Sequence, residues 1–312
     1  MIFKYIIRIL FSCLILVYIS GKVDWRIIAE ILSRTDMFWY FLSTGVMLVC
    51  AFIATAKFHR LIRKTHLSLS MARLMVIFFI GQFFALFLPM AVGTEAVRWY
   101  KVTRGKQGKS FFLAVTAYER ILFVLTMIGF GLIPLLFDHG TPGITVLRDR
   151  LIPLALGAGT ILMGGWLYLF NAKVQSVTNR FLKKTLHLKE SSRLYLLMNN
   201  LELKDRSWKL LGLLFFLTVC WQIFYIVRIY FLFFAMGLSF GIVQAAWMGS
   251  LVLMIQVLPV TFAGLGLREG AYAYLFTLYG LPSEQGVVVG LLFFTQMLVF
   301  AFIGGILNLL EK

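Results

Sequence analysis

The feature that most constrains this chain is the recurrence of apolar stretches long enough to cross a bilayer. A helix needs roughly 20 apolar residues to span about 30 Å of hydrocarbon. Six stretches reach that length, at about 2–20, 38–56, 111–137, 151–170, 209–236 and 286–310. Two more, about 74–100 and 244–280, are interrupted by proline and glycine and carry charges. Composition agrees: 61% of the 312 residues are hydrophobic and 14% charged, against about 45–50% and about 25% in soluble domains. A single water-soluble domain and a disordered chain are both excluded, the second by the 16% aromatic content. The expected fold is an all-α polytopic membrane protein, a single transmembrane domain over 1–312. The first stretch reads as a retained span, because Ser20-Gly21-Lys22-Val23-Asp24 offers no small-x-small cleavage site.

The net charge of +17 invites a nucleic-acid reading, which needs basic residues interleaved on one soluble face. Here Lys and Arg fall in short clusters between apolar runs, so nucleic acid is not expected as a partner. Cys13, Cys50 and Cys220 lie inside apolar runs, and His59, His66, His139 and His187 form no HxxxH or HExxH pair. No metal or other cofactor is expected.

The basic clusters instead orient the chain, because short loops rich in Lys and Arg stay cytoplasmic. Segments 57–73, 101–109 and 171–209, with Lys4, Arg8 and Lys312, collect 21 of the 30 basic residues, whereas 21–37 and 138–150 are balanced. The prediction is a multi-pass protein of the inner (plasma) membrane with both termini cytoplasmic. Loops 57–73 and 101–109 then share a face, so 74–100 must enter, break near Pro89 to Gly93 and return. By the same bookkeeping 244–280 is a re-entrant hairpin from the opposite face, broken near Pro259. Eight apolar segments thus resolve into about six full spans and two re-entrant helical hairpins. The halves, about 1–137 and 151–312, are inverted relative to each other. A weak internal echo agrees: Leu88-Pro89 precedes Arg98 as Leu258-Pro259 precedes Arg268, at the same offset. Inverted repeats with broken helices are a recurrent transporter plan. In the connector 171–209, Val174, Val177, Phe181 and Leu182 recur at helical spacing opposite Lys173, Arg180, Lys183 and Lys184, an amphipathic interfacial helix.

Seven ionisable residues fall at membrane depth: Glu95, Arg98, Glu119, Arg120, Arg228, Arg268 and Glu269. Unpaired, at about 2.5–3.5 kcal/mol each, they would cost on the order of 20 kcal/mol. They must face each other or a wet cavity, and four cations against three anions suit an anionic ligand. Glu95 and Arg98 are three apart and can pair on one helical face; Thr94 is a suitable N-cap for a helix starting at Glu95, with Gly93 permitting the turn. In the second motif Gly264 and Gly266 let backbone approach a ligand, and a helix starting near Leu267 would point free N–H groups at an anion. Arg228 reads as structural, Gly286-x-x-x-Gly290 as close helix packing, and Gln222, Gln244, Gln256 and Gln296 as interhelical glue.

At these motifs the chain resembles the lysylphosphatidylglycerol synthase transmembrane-region family of flippase-like membrane proteins. Gly93-Thr94-Glu95-Ala96-Val97-Arg98 is similar to that family's Gly-Gly-Asp-x-x-Arg, with a longer carboxylate. Tyr118-Glu119-Arg120 resembles its Glu-Arg pair, and Pro259 through Gly264-x-Gly266-x-Arg268-Glu269-Gly270 its Pro-x5-Gly-x-Gly-x-Arg-Glu signature. Bifunctional members continue into a soluble aminoacyl-transferase domain; this sequence stops at Glu311-Lys312, so the resemblance implies the lipid-translocating part.

The expected function is therefore a flippase or transporter. It would move an anionic or aminoacylated phospholipid, or a polyprenyl-phosphate-linked lipid, using Glu95, Arg98, Glu119, Arg120, Gly264, Gly266, Arg268 and Glu269 as its site. Pro89, Gly93 and Pro259 would be its helix breaks. No catalytic or nucleotide-binding motif is present. The alternatives are a membrane-embedded transferase and an accessory subunit that partners a soluble or membrane transferase.

Overall fold

The computed structural model describes residues 21, 24–62, 69–86, 90–103, 109–138, 140–170, 174, 176–178, 180, 208–257 and 264–311. Every regular element among them is a helix: α1 (Trp25–Ser33), α2 (Met37–Ile62), α3 (Met71–Ala85), α4 (Met90–Thr103), α5 (Lys109–Leu136), α6 (Pro142–Phe170), α7 (Trp208–Ala235), α8 (Ile242–Val257), α9 (Leu267–Leu278) and α10 (Ser283–Leu310). Four of these contain windows long and apolar enough to cross a membrane: Met37–Ile62, Glu119–Leu136, Gly212–Ala235 and Ser283–Leu310. Their outward faces carry bare apolar side chains such as Phe52, Phe216 and Phe302, as lipid contact demands. Stretch 2–20 and nearly all of connector 171–209 lie outside the described residues. Two boundaries differ from expectation: α2 runs on to Ile62, drawing Lys57 out of the basic loop, and α6 starts at Pro142. Helical hydrogen bonding continues through a few polar residues at a span's end, because breaking it early gains nothing.

The two interrupted stretches are each a pair of short helices. α3 ends at Ala85 and α4 begins at Met90, so Gly93 and Thr94 lie inside α4 instead of ahead of it. The first helical N–H groups need no intrahelical acceptor, so a helix can resume directly after a proline without a polar cap. The pair folds back on itself: a Cβ on Gly81 of α3 would stand 2.9 Å from Thr94 Cγ2 of α4. Arg73, near the start of α3, and Lys101, near the end of α4, both ion-pair with Glu311. α8 and α9 behave likewise. Gln244 Nε2 (3.2 Å) and Trp247 Nε1 (2.7 Å) from the start of α8, and the Tyr279 hydroxyl just after α9, all donate to Asp138 Oδ2. Burial, reinforced by this bond, raises the Tyr279 phenol far above its usual titration range. Pro89 and Pro259 lie outside the described residues.

The anchoring is reciprocal. Glu311 follows α10 and holds the ends of α3–α4; Asp138 follows α5 and holds the ends of α8–α9. Packing repeats the exchange. Gly304 of α10 admits the α3 backbone so closely that a Cβ there would overlap the Phe79 carbonyl, and Gly131 of α5 faces Ser250 of α8. α2 and α7 pack lengthwise between the two systems, and Ser43 Oγ of α2 donates to the Arg228 carbonyl of α7 at 3.0 Å. Gly286 and Gly290 seat α10 on α9, where a Cβ would strike the Tyr272 backbone and Glu269, the close packing expected of that spacing. Gln222 (to Ser250) and Gln296 (to Arg228 and Ser43) tie helices together, whereas Gln256 bonds within its own helix to the Val252 carbonyl.

Candidate functional site

A cavity of about 300 Å³ opens between α2, α3, α4, α5, α7, α8 and α10, the lower end of the size range of ligand pockets. One end is ionic. α4 presents Glu95 and Arg98, three residues apart and so on one face; α5 presents Glu119 and Arg120, and α2 supplies Lys57. Spacing predicts a Glu95–Arg98 pair within α4, but the pairs cross between helices. Arg120 Nη2 donates to Glu95 Oε1 at 2.7 Å, and Arg98 Nη1 to Glu119 Oε2 at 3.4 Å. The reason is packing: α5 sets an acid and a base opposite α4, and each finds a partner on the facing helix that chain spacing alone does not reveal. Lys57 Nζ stands 3.8 Å from Glu119 Oε1, an oxygen with no hydrogen-bond donor among the described residues. The Arg98 guanidinium lies 4.4 Å from the centre of the Phe58 ring, a cation–π contact.

Three cations therefore face two carboxylates, and the Glu119 contacts are long. All five side chains keep part of their surface open, from 12% for Lys57 to 34% for Arg120. The cluster has an excess of one positive charge and one carboxylate shared loosely by two cations, an arrangement in which an incoming monoanion can displace Glu119. Lys57 is the residue that counting loops hides. Its signal in the sequence is a lysine whose i−4, i−3 and i+4 neighbours, Ile53, Ala54 and Leu61, are apolar, with Arg60 the one polar residue on that face.

The second motif forms a different structure. α9 starts at Leu267, as its glycines and the Arg-Glu pair predict. Gly264 (φ 73°) and Gly266 (φ 82°) are left-handed, where a side chain would be strained. Glu269 Oε2 accepts from the Gly266 N–H at 2.7 Å, closing the helix start. Its Oε1 accepts from Arg268 Nε at 3.1 Å and Nη2 at 2.6 Å. Arg268 is fully buried and Glu269 nearly so. Glu95, Arg98, Glu119 and Arg120 line the cavity; Gly264, Gly266, Arg268 and Glu269 are not among its described walls. The glycines let the chain turn, and the Arg268–Glu269 pair holds that turn together.

The cavity's other end is formed by Arg228, Tyr225, Gln256 and Phe293. Arg228 is buried, and both Nε (2.9 Å) and Nη2 (2.6 Å) donate to Gln296 Oε1.

Comparison with known proteins places this architecture. No curated protein and no solved structure matches the chain. A profile of the family described as "Lysylphosphatidylglycerol synthase TM region" matches residues 5–305, nearly the whole sequence. With four apolar helices of spanning length, the match makes this a membrane protein of a lipid-related pathway, and the chain belongs to the lysylphosphatidylglycerol synthase TM region family.

Proposed function

We propose that this protein is a lipid flippase of the inner membrane, translocating an anionic or aminoacylated phospholipid or a polyprenyl-phosphate-linked lipid. The observation that carries the reading is the ionic end of the cavity: Lys57, Arg98 and Arg120 against Glu95 and Glu119, partly open and loosely matched. A headgroup phosphate takes the place of Glu119 between Lys57 and Arg98, and the released carboxylate is free to accept from an amine or hydroxyl on the same headgroup. The cavity has room for a headgroup; acyl chains remain in lipid beside it.

The positive-inside bias supports a cytoplasmic location for both termini. Re-entrant hairpins at 71–103 and 242–278 are supported by the meeting of each hairpin's two ends at one carboxylate. The exchange of hairpins between α5 and α10 supports an inverted repeat of 1–137 and 151–312, the plan on which alternating access is built. In this scheme Glu95, Arg98, Glu119 and Arg120 touch the headgroup, while Gly264, Gly266, Arg268 and Glu269 keep the second hairpin in shape. Transport is passive or ion-coupled.

The test is translocation of a fluorescent phosphatidylglycerol in proteoliposomes, read by quenching from outside. Wild-type protein should make the inner-leaflet pool accessible, and Arg98→Ala should return the rate to that of protein-free vesicles. Wild-type protein indistinguishable from empty vesicles for every phosphate-bearing lipid overturns the reading. A covalently altered lipid recovered instead points to the transferase.

A further inference from the structure

Arg228 carries a positive charge that no carboxylate among the described residues answers. It is 4% exposed, yet it lines the same cavity as the ionic cluster. Its partners are neutral: Gln296 Oε1, and the Phe293 ring 3.8 Å beneath its guanidinium. Among the described residues no acid lies within ion-pair distance of it, whereas Arg268, over the same ring at 4.9 Å, is matched by Glu269. Two further polar atoms of this wall are buried without a hydrogen-bond partner, the Tyr225 hydroxyl and Gln256 Oε1. A buried donor or acceptor left unsatisfied is costly, and two such atoms converge with the unneutralised Arg228 charge on one cavity.

Position gives the site its meaning. Gln296 is the fourteenth of the 28 residues of α10, so the guanidinium it holds sits at mid-length of that span, the depth at which arginine is least tolerated. Ser43 is bonded to the Arg228 carbonyl, and Lys57 lies fourteen residues further along α2, about 21 Å at 1.5 Å per residue. The cavity thus has a cationic cluster at one end and a lone cation at mid-depth.

We propose that Arg228, Tyr225 and Gln256 form a second phosphate site, at which the headgroup rests midway between the two faces. This rests on the translocation reading and names the intermediate position it requires. Arg228 supplies one charge and Tyr225 a neutral donor, so the site fits a phosphodiester with a single negative charge. A phosphomonoester or a pyrophosphate brings further negative charge that these side chains do not match. The Gln256 oxygen accepts from a hydroxyl or ammonium group carried on that phosphodiester.

The experiment is titration of the full chain in neutral detergent, followed by tryptophan fluorescence, for which Trp221 stacked on Tyr225 is the reporter. The probes are dihexanoylphosphatidylglycerol, dihexanoylglycerol and inorganic phosphate. Wild-type protein should bind the phospholipid and ignore the uncharged diacylglycerol. Arg228→Met should weaken binding about tenfold or more and Arg228→Lys restore most of it, because a hydrogen bond to a charged group is at stake. Tyr225→Phe removes a hydroxyl that has no hydrogen-bond partner among the described residues and should weaken binding about threefold; it decides the matter should Arg228→Met fail to fold. Inorganic phosphate binding as tightly as the phospholipid supports the site and identifies its occupant as the free anion. Wild-type affinity in Arg228→Met, or in Tyr225→Phe, overturns the site while leaving the ionic cluster and the flippase reading intact. A wild-type protein that binds none of the three probes overturns both.

Discussion

The cluster at α4 and α5 and the pair at the start of α9 are built from the same two residue types and work in opposite ways. Arg98, Arg120, Glu95 and Glu119 sit on facing helices, partly open, with one pair as long as 3.4 Å. Arg268 and Glu269 are neighbours in sequence, almost without exposure, and joined by two hydrogen bonds of 3.1 and 2.6 Å. In the first place charges are available to a third party, since these side chains keep part of their surface open. In the second, every oxygen of Glu269 is committed, to Arg268 and to the backbone of Gly266. An arginine paired with a carboxylate is open to a ligand only where that carboxylate is loosely held; where the carboxylate is locked, the pair serves as a joint.

Mutation separates the two. Glu269→Ala leaves Arg268 buried and unpaired and should cost about 3–5 kcal/mol, a large fraction of the roughly 5–15 kcal/mol stability of a typical domain, seen as a marked drop in the detergent melting temperature. Glu119→Gln, in the open cluster, should shift that temperature little; an equal loss would erase the distinction. Gly304→Ala comes next in size. The added methyl overlaps the Phe79 carbonyl and should destabilise by about 1–3 kcal/mol, while Gly131→Ala at the matching contact with Ser250, where 3.4 Å is available, should be nearly silent. Lys57→Ala should leave melting unchanged and slow translocation about tenfold, by removing one of the two cations that share Glu119. Smallest is Arg73→Ala: Arg73 is 47% exposed and Lys101 still holds Glu311, so melting should move by less than about 1 kcal/mol.

Much of this architecture is legible in the chain. The all-helical fold, the breaks in 74–100 and 244–280, and the start of α9 at Leu267 follow from apolar run length, proline, glycine and loop charge. Those signals are local, and so are the features they reveal. The partner of a charged side chain is not local. Glu95 finds Arg120, and Arg98 finds Glu119, because α5 packs beside α4, which no spacing within either helix encodes. Lys57 reads as one more cytoplasmic cation because the boundary of α2 is the least determined part of that helix. Sequence alone ranks Arg268, with Glu269 beside it, as the site residue and Arg228 as structural. Only the fold sets Arg228 beside Gln296, 68 residues away, at a cavity wall, and locks the neighbouring Arg268–Glu269 pair in the core.

The central claim, that the open cluster is the seat of a lipid headgroup, is tested most directly by native mass spectrometry of the protein released gently from membranes. Wild-type protein should carry a bound phosphate-bearing lipid, and a Lys57→Ala/Arg98→Ala variant of unchanged melting temperature should retain several-fold less of it. Equal retention of that lipid by both proteins would contradict the claim.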